Sequence, residues 1–181
     1  MKTCFLKRCP YAWIASLGFI LYCQTLFFNF TYLNNNVLIL DHYHFLRNLT
    51  NLFRSFTQDV FQITHSADAY YRPMLTISFI LDAQLGKTYP SMYHLTNLAL
   101  HLMTSCLVFI FLKKLKYKPV LTGLFALIFT IHPVLTQAVV WIPGRNDSLL
   151  TIFILINFIF WLKFLETKKW QLFAWQLLFL L

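Results

Sequence analysis

Apolar runs of bilayer length constrain this chain more than any other feature. Tyr11 to Phe30, Tyr93 to Leu112, Val120 to Ile142 and Ser148 to Leu165 are rich in Leu, Ile and Phe. Each approaches the roughly 20 helical residues that cross a hydrocarbon core. Hydrophobic residues make up 59% of the 181 and charged residues only 12%. That is the balance of a polytopic membrane protein rather than a soluble domain. The expected fold is all-α: a polytopic helical membrane protein, with residues 1–181 as one membrane domain. Trp170 to Leu181 is apolar but reaches only about 18 Å as a helix, so four full spans plus a truncated fifth are expected. The chain then reads as a fragment, or as a product that a downstream polypeptide completes. Val120 to Ile142 crosses in one piece only if the helix continues past His132-Pro133. Otherwise Pro133 ends the span and a short surface helix follows.

Charge placement gives an orientation. Of the fifteen basic residues, Lys2, Lys7, Arg8, Lys113, Lys114, Lys116, Lys118, Lys163, Lys168 and Lys169 alternate with the spans so as to share one side. By the positive-inside rule that side is cytoplasmic, and the N-terminus lies there. The expected location is a bacterial inner membrane or the endoplasmic reticulum. The other face carries Arg47, Arg54, Arg72, Lys87 and Arg145 with Asp41, Asp59, Asp68, Asp82 and Asp147, so chemistry is expected there. The net charge of +9 does not point to nucleic acid, because the basic residues punctuate oily runs instead of forming one polar surface. Tyr11 to Phe28 lacks a small-residue cleavage site behind it and reads as a retained signal-anchor. The four cysteines have neither CxxC nor zinc spacing.

Residues 29–90 form the largest outer element, an extracytoplasmic loop. Phe45, Leu49, Leu52, Phe53, Phe56 and Val60 recur at steps of three and four, opposite Arg47, Asn48, Asn51 and Arg54. This pattern predicts an amphipathic helix lying in the membrane interface. Pro73 suits the first turn of a second helix, Met74 to Leu85, too short to span and closed by Gly86 as C-cap. Three N-x-S/T triplets begin at Asn29, Asn48 and Asn146. In a eukaryotic lumen they are glycosylation acceptors, although such triplets also arise by chance.

Polar residues inside oily runs carry the chemical expectations, because their burial is costly. His94, Asn97 and His101 share one face of the second span, as a cavity wall or as helix–helix glue. Arg72, after Tyr70-Tyr71 and before Pro73, has the position to grip a lipid phosphate bidentately, or to act as an interfacial anchor. Arg145 has the same two options, the second being a salt bridge to Asp147. Between two oily runs lies a polar knuckle from His132 to Asp147, with Gln137 inside it. His132, Gln137 and Asp147 are expected to line a cavity together with His94 and His101. No Walker loop, GxSxG, HExxH or GxGxxG is present.

Three stretches, taken in order, resemble a known family. They are Tyr71-Arg-Pro-Met-Leu-Thr-Ile-Ser-Phe, Tyr93-His-Leu-Thr-Asn-Leu-Ala-Leu-His101, and His132-Pro-Val-Leu-Thr-Gln-Ala-Val-Val-Trp-Ile-Pro-Gly-Arg-Asn-Asp147. Together they are similar to the N-terminal membrane region of the transmembrane-and-tetratricopeptide-repeat proteins and their bacterial relatives. That family sits among the C-type glycosyltransferases, with the protein O-mannosyltransferases. The resemblance covers roughly Phe30 to Leu165. It implies a helical membrane bundle with a large first outer loop of interfacial helices. It also implies sugar transfer from a polyprenyl-phosphate donor to an acceptor hydroxyl on the outer or lumenal face. Such transfer uses a carboxylate to accept the hydroxyl proton and cations to hold the departing phosphate. No cofactor is fixed by the sequence, and active relatives have room for a divalent metal. The family's acidic pair after the first span corresponds here to Asn34 and Asn35, and the acid of its His-Pro-x-x-x-Glu stretch to Gln137. An amide copies the shape of the acid but is no general base at neutral pH. Asp41 is the nearest remaining carboxylate and a substitute candidate.

Three readings follow: a glycosyltransferase-like membrane domain, a catalytically inactive relative acting as scaffold, and a transporter fragment. The third lacks an intramembrane carboxylate relay or a repeated half. The implied partners are membrane lipid and the lipid-linked donor.

Overall fold

A computed structural model describes residues 10–31, 35–59 and 70–178, and the regular structure among them is helical. Helix α1 (Pro10–Tyr22) tightens into a 3₁₀ turn over Cys23–Phe27. A π turn at Asn36–Leu40 leads to two short helices, α2 (Tyr43–Leu46) and α3 (Asn51–Arg54). Then come α4 (Pro73–Gly86), α5 (Pro90–Lys114) and α6 (Pro119–Ile131). After a 3₁₀ turn at Pro133–Leu135 the chain continues as α7 (Thr136–Val140), α8 (Arg145–Thr167) and α9 (Trp170–Leu178).

Pro10–Phe27, Pro90–Lys114 and Ile142–Thr167 are long and apolar enough to cross a membrane. The stretch Pro119–Ile131 plus Pro133–Val140 joins them as a fourth if its 48° bend lies within one span. The protein is thus a helical membrane protein, with the third of its apolar runs broken where Pro133 predicts. His132 is extended at φ −65° and ψ 126°, the conformation a following proline favours.

The helix directions follow from the side-chain pairs. Tyr11 packs on Phe109 and Tyr22 on His101, so α1 runs antiparallel to α5. Arg145 reaches Tyr93 while Lys114 pairs with Glu166, so α5 and α8 run parallel. The return leg is α6, whose Thr130 lies beside His101. Helix α9 folds back along α8, where Asn157 Nδ2 donates to the Gln176 carbonyl. The bundle consequently has a lysine end, with Lys113, Lys114, Lys163 and Lys168, and a knuckle end, with residues 132–147, α4 and the loop.

The bundle interior mixes apolar side chains such as Ile14, Leu98 and Phe109 with small and polar ones, and its outside is oily. Helix α6 buries Thr122, Gly123, Ala126 and Thr130 while Val120, Leu121, Leu124, Phe125, Ile128 and Ile131 face outward. Lipid is as apolar as leucine, so expelling leucine from it gains nothing, and close packing of small residues holds such helices together. The buried hydroxyls bond within their own helix: Thr104 to Leu100, Ser105 to His101 and Thr130 to Ala126.

The loop has its own apolar core at the knuckle end. Leu38, Ile39 and Leu46 pack with Leu75, Phe79, Ile80 and Ala83 of α4, with Tyr93 of α5 and with Ile142 of the knuckle. The long amphipathic helix expected from Phe45 to Val60 is instead two single turns. Between them Asn48 Oδ1 accepts from the Thr50 backbone N–H and from its hydroxyl. Such side-chain bonds compete with helix continuation. Asn51, expected on the polar face, is buried and donates to the Phe45 carbonyl. Val60 and Asp68 lie outside the described residues. Helix α4 starts on Pro73 as expected, but Gly86 is still within it, and Lys87 takes the cap with φ 51°. Gly86 answers to packing: a Cβ there would come within 2.3 Å of Met92.

Candidate functional site

Arg145 organises the knuckle end. Tight turns at Pro133–Leu135 and Ile142–Gly144 fold residues 132–144 back toward the bundle and start α8 on Arg145. Gly144 permits this, because a Cβ there would lie 2.5 Å from the Gln137 carbonyl oxygen. The Arg145 side chain is fully buried. Its Nε donates to Asn97 Oδ1 at 2.7 Å, and one terminal nitrogen donates to Asp82 Oδ2 at 2.5 Å and to Ser78 Oγ at 3.2 Å. The other terminal nitrogen donates to the Tyr93 carbonyl at 2.8 Å. The guanidinium also lies over the Phe79 ring at 4.7 Å, a contact that adds electrostatic attraction.

Asp82 is the counter-charge. It sits on α4 in the apolar run Phe79-Ile80-Leu81-Asp82-Ala83 and also accepts from Thr96 Oγ1 at 2.6 Å. Burial pushes its carboxyl upward, opposed by the Arg145 charge and by the bonds from Thr96 and Arg145. Asn97 completes the cluster. Its Nδ2 lies 3.0 Å from the Trp141 carbonyl and 3.2 Å from that of Val139, so its two protons tie α5 to the knuckle. One guanidinium thereby joins α4, α5 and α8 in the buried interior.

These contacts revise the expectation for Arg145. Its donors face inward and Asp147 is not among their acceptors, so neither a lipid phosphate nor the Asp147 salt bridge is what it holds. Asp147 is exposed in the first turn of α8. Gln137 and His132 are also exposed rather than lining the interior, and His132 Nδ1 accepts from the Val134 N–H, capping its own turn. His101 is buried, with Nε2 2.9 Å from the Thr130 carbonyl, which is helix–helix glue. His94 is buried too. Phe28 meets its ring edge-on, the Asn29 backbone lies beside it, and neither ring nitrogen has a well-formed hydrogen bond.

The remaining expected residues lie toward the loop. Asn34 is outside the described residues. Asn35 is buried and donates to Thr31 Oγ1 at 2.9 Å, while its own oxygen has no hydrogen bond. Asp41 is exposed at the end of the π turn. Arg72 precedes α4, half-buried, with its guanidinium 5.3 Å from the Tyr70 ring centre. Among the described residues no three His, Cys, Asp or Glu side chains gather as a metal site.

The comparisons place this bundle among named proteins. The chain is 34% identical over 114 residues to protein O-mannosyl-transferase TMTC2 of Mus musculus, covering 62% of this chain and 14% of that protein. It is 28% identical over 159 residues to protein O-mannosyl-transferase Tmtc1 of Drosophila melanogaster, covering 86% of this chain and 18% of that protein. It is 33% identical over 114 residues to protein O-mannosyl-transferase TMTC4 of Homo sapiens, covering 55% of this chain and 15% of the relative. The chain is thus similar to several TMTC proteins over about half to most of its length. It spans only 14% to 18% of the length of these relatives. No family model matches it, and no solved structure does. That similarity supports a glycosyltransferase-like membrane domain, and Asp82, Asn97 and Arg145 make up its buried polar centre.

Proposed function

We propose that this chain forms the membrane part of a protein O-mannosyl-transferase, moving mannose from a polyprenyl-phosphate donor to a hydroxyl of a protein acceptor. The observation that carries the reading is its similarity to the named transferases over 114 to 159 residues. The relatives are animal proteins, which favours the endoplasmic reticulum as the membrane. The knuckle end then faces the lumen, with the lysine end cytoplasmic.

In this proposal Arg72 meets the donor phosphate. Arg72 is half-buried, rests beside Tyr70, and immediately precedes α4, which lends Leu75, Phe79, Ile80 and Ala83 to the apolar loop core. Developing negative charge on the leaving phosphate is stabilised by such a fixed cation. Asp41 is the carboxylate available to accept the hydroxyl proton. Arg145 acts indirectly by fixing α4, and with it Arg72, against the bundle.

A second reading is favoured by one specific observation. Asn34 and Asn35 stand where the family's acidic pair is expected. On that reading the chain binds donor lipid without turning it over. Purified full chain in lipid vesicles, given labelled polyprenyl-phosphate mannose and a Ser/Thr-rich acceptor, separates the two. Transfer that is lost in Asp41→Asn supports the enzyme. Donor binding without transfer selects the scaffold, and absence of both removes the proposal.

A further inference from the structure

Three N-x-S/T triplets are not used by the transferase reading, and the structure separates them sharply. Asn146 is half-buried in the first turn of α8, and its partner Ser148 is 4% exposed. An acceptor asparagine in a packed helix cannot enter another enzyme's active site. Asn29 is exposed, but it lies two residues past Phe27, the last residue of the first span, and Thr31 Oγ1 is occupied by Asn35 Nδ2. Asn48 differs on every count. It lies 21 residues past Phe27, in the turn between α2 and α3, with Asn48, Leu49 and Thr50 all exposed.

The local geometry also suits an acceptor. Asn48 Oδ1 accepts from the Thr50 N–H at 3.0 Å and from Thr50 Oγ1 at 2.8 Å. This is an Asx-type turn, in which the asparagine folds over its own backbone. Both bonds use the oxygen, so neither of them occupies Nδ2. The hydroxyl that the triplet requires is already beside the amide.

We infer that Asn48 is an N-glycosylation site of this protein, and that Asn29 and Asn146 are not. The reactants are a lipid-pyrophosphate-linked oligosaccharide and a lumenal oligosaccharyltransferase. A bond forms from Asn48 Nδ2 to C1 of the first sugar as the C1–O bond to the pyrophosphate breaks. One amide proton is released, and the lipid pyrophosphate leaves. The site requires the knuckle end to be lumenal, but it does not depend on this chain having transferase activity.

The test uses the full chain expressed in animal cells. Expected is one glycan, removed by a glycan amidase, with the resulting deamidation mapped by mass spectrometry to position 48 in the unmutated chain. Thr50→Ala abolishes it and Thr50→Ser retains it. Asn29→Gln and Asn146→Gln leave it unchanged. No glycan, or a glycan at Asn29 or Asn146 in the unmutated chain, overturns the inference. Loss of donor transfer with the glycan intact affects only the functional proposal.

Discussion

Two arginines, Arg72 and Arg145, carry the same sequence expectation and have opposite environments. Arg145 is fully buried with carboxylate, amide, hydroxyl and carbonyl partners. Arg72 is half-buried beside the Tyr70 ring, with no ion pair to a carboxylate among the described residues. A cation whose donors are all used inside holds helices together. A cation with donors to spare is the one that can meet a ligand. The difference lies in the surroundings: Asp82 approaches Arg145 from another helix, and among the described residues no acid forms an ion pair with Arg72.

Breaking the buried centre gives the largest expected effect. Arg145→Ala leaves the buried Asp82 carboxylate without its counter-charge, a loss of about 3–5 kcal/mol. It should appear as a large drop in thermal stability of the detergent-solubilised protein. The double change Arg145→Met with Asp82→Leu should recover much of that drop, since it removes both charges. A double variant as unstable as the single one would show that the pair is not the source. Asn97→Leu comes next. It removes the knuckle tether and one Arg145 acceptor, at about 1–2 kcal/mol, and should raise hydrogen exchange at residues 138–142 before the rest.

The loop should respond to pH. Burial lowers the pKa of His42 below its ordinary 6.5. The unfolded loop therefore binds the proton more readily. The His42 contribution is fully present above pH 6.5 and is lost as pH falls through the lower folded value. Limited proteolysis at residues 41–59 should accelerate below that pH, and His42→Phe should remove the dependence. Arg72→Ala has the smallest structural effect, within about 0.5 kcal/mol. Donor-lipid binding in vesicles should nonetheless fall at least tenfold, and unchanged binding would leave Arg72 an interfacial anchor.

Much of this was legible in the chain. Span-length apolar runs gave the helical membrane class, Pro73 gave a helix start, and Pro133 gave the break. The Asp82–Arg145 pair was not, because 63 residues separate its members and no local period links them. One signal was available: a lone acid within Phe79-Ile80-Leu81-Asp82-Ala83 needs a buried cation somewhere. The amphipathic stripe was misread because spacing registers apolar faces and not the Asn48–Thr50 bonds that interrupt a helix. His101 carried both options in the sequence, and the neighbouring Thr130 carbonyl, reached only through the return of α6, decides between them.

The broken return leg has a consequence for the surrounding bilayer. The 25 residues of α5 rise about 38 Å, whereas the 13 of α6 rise about 20 Å before the bend. Against a hydrocarbon layer of roughly 30 Å, the straight part of α6 is too short by about 10 Å. Lipids meet such hydrophobic mismatch by thinning locally. If the span ends at the bend, thinning beside α6 would bring headgroups to the level of His132 and Gln137.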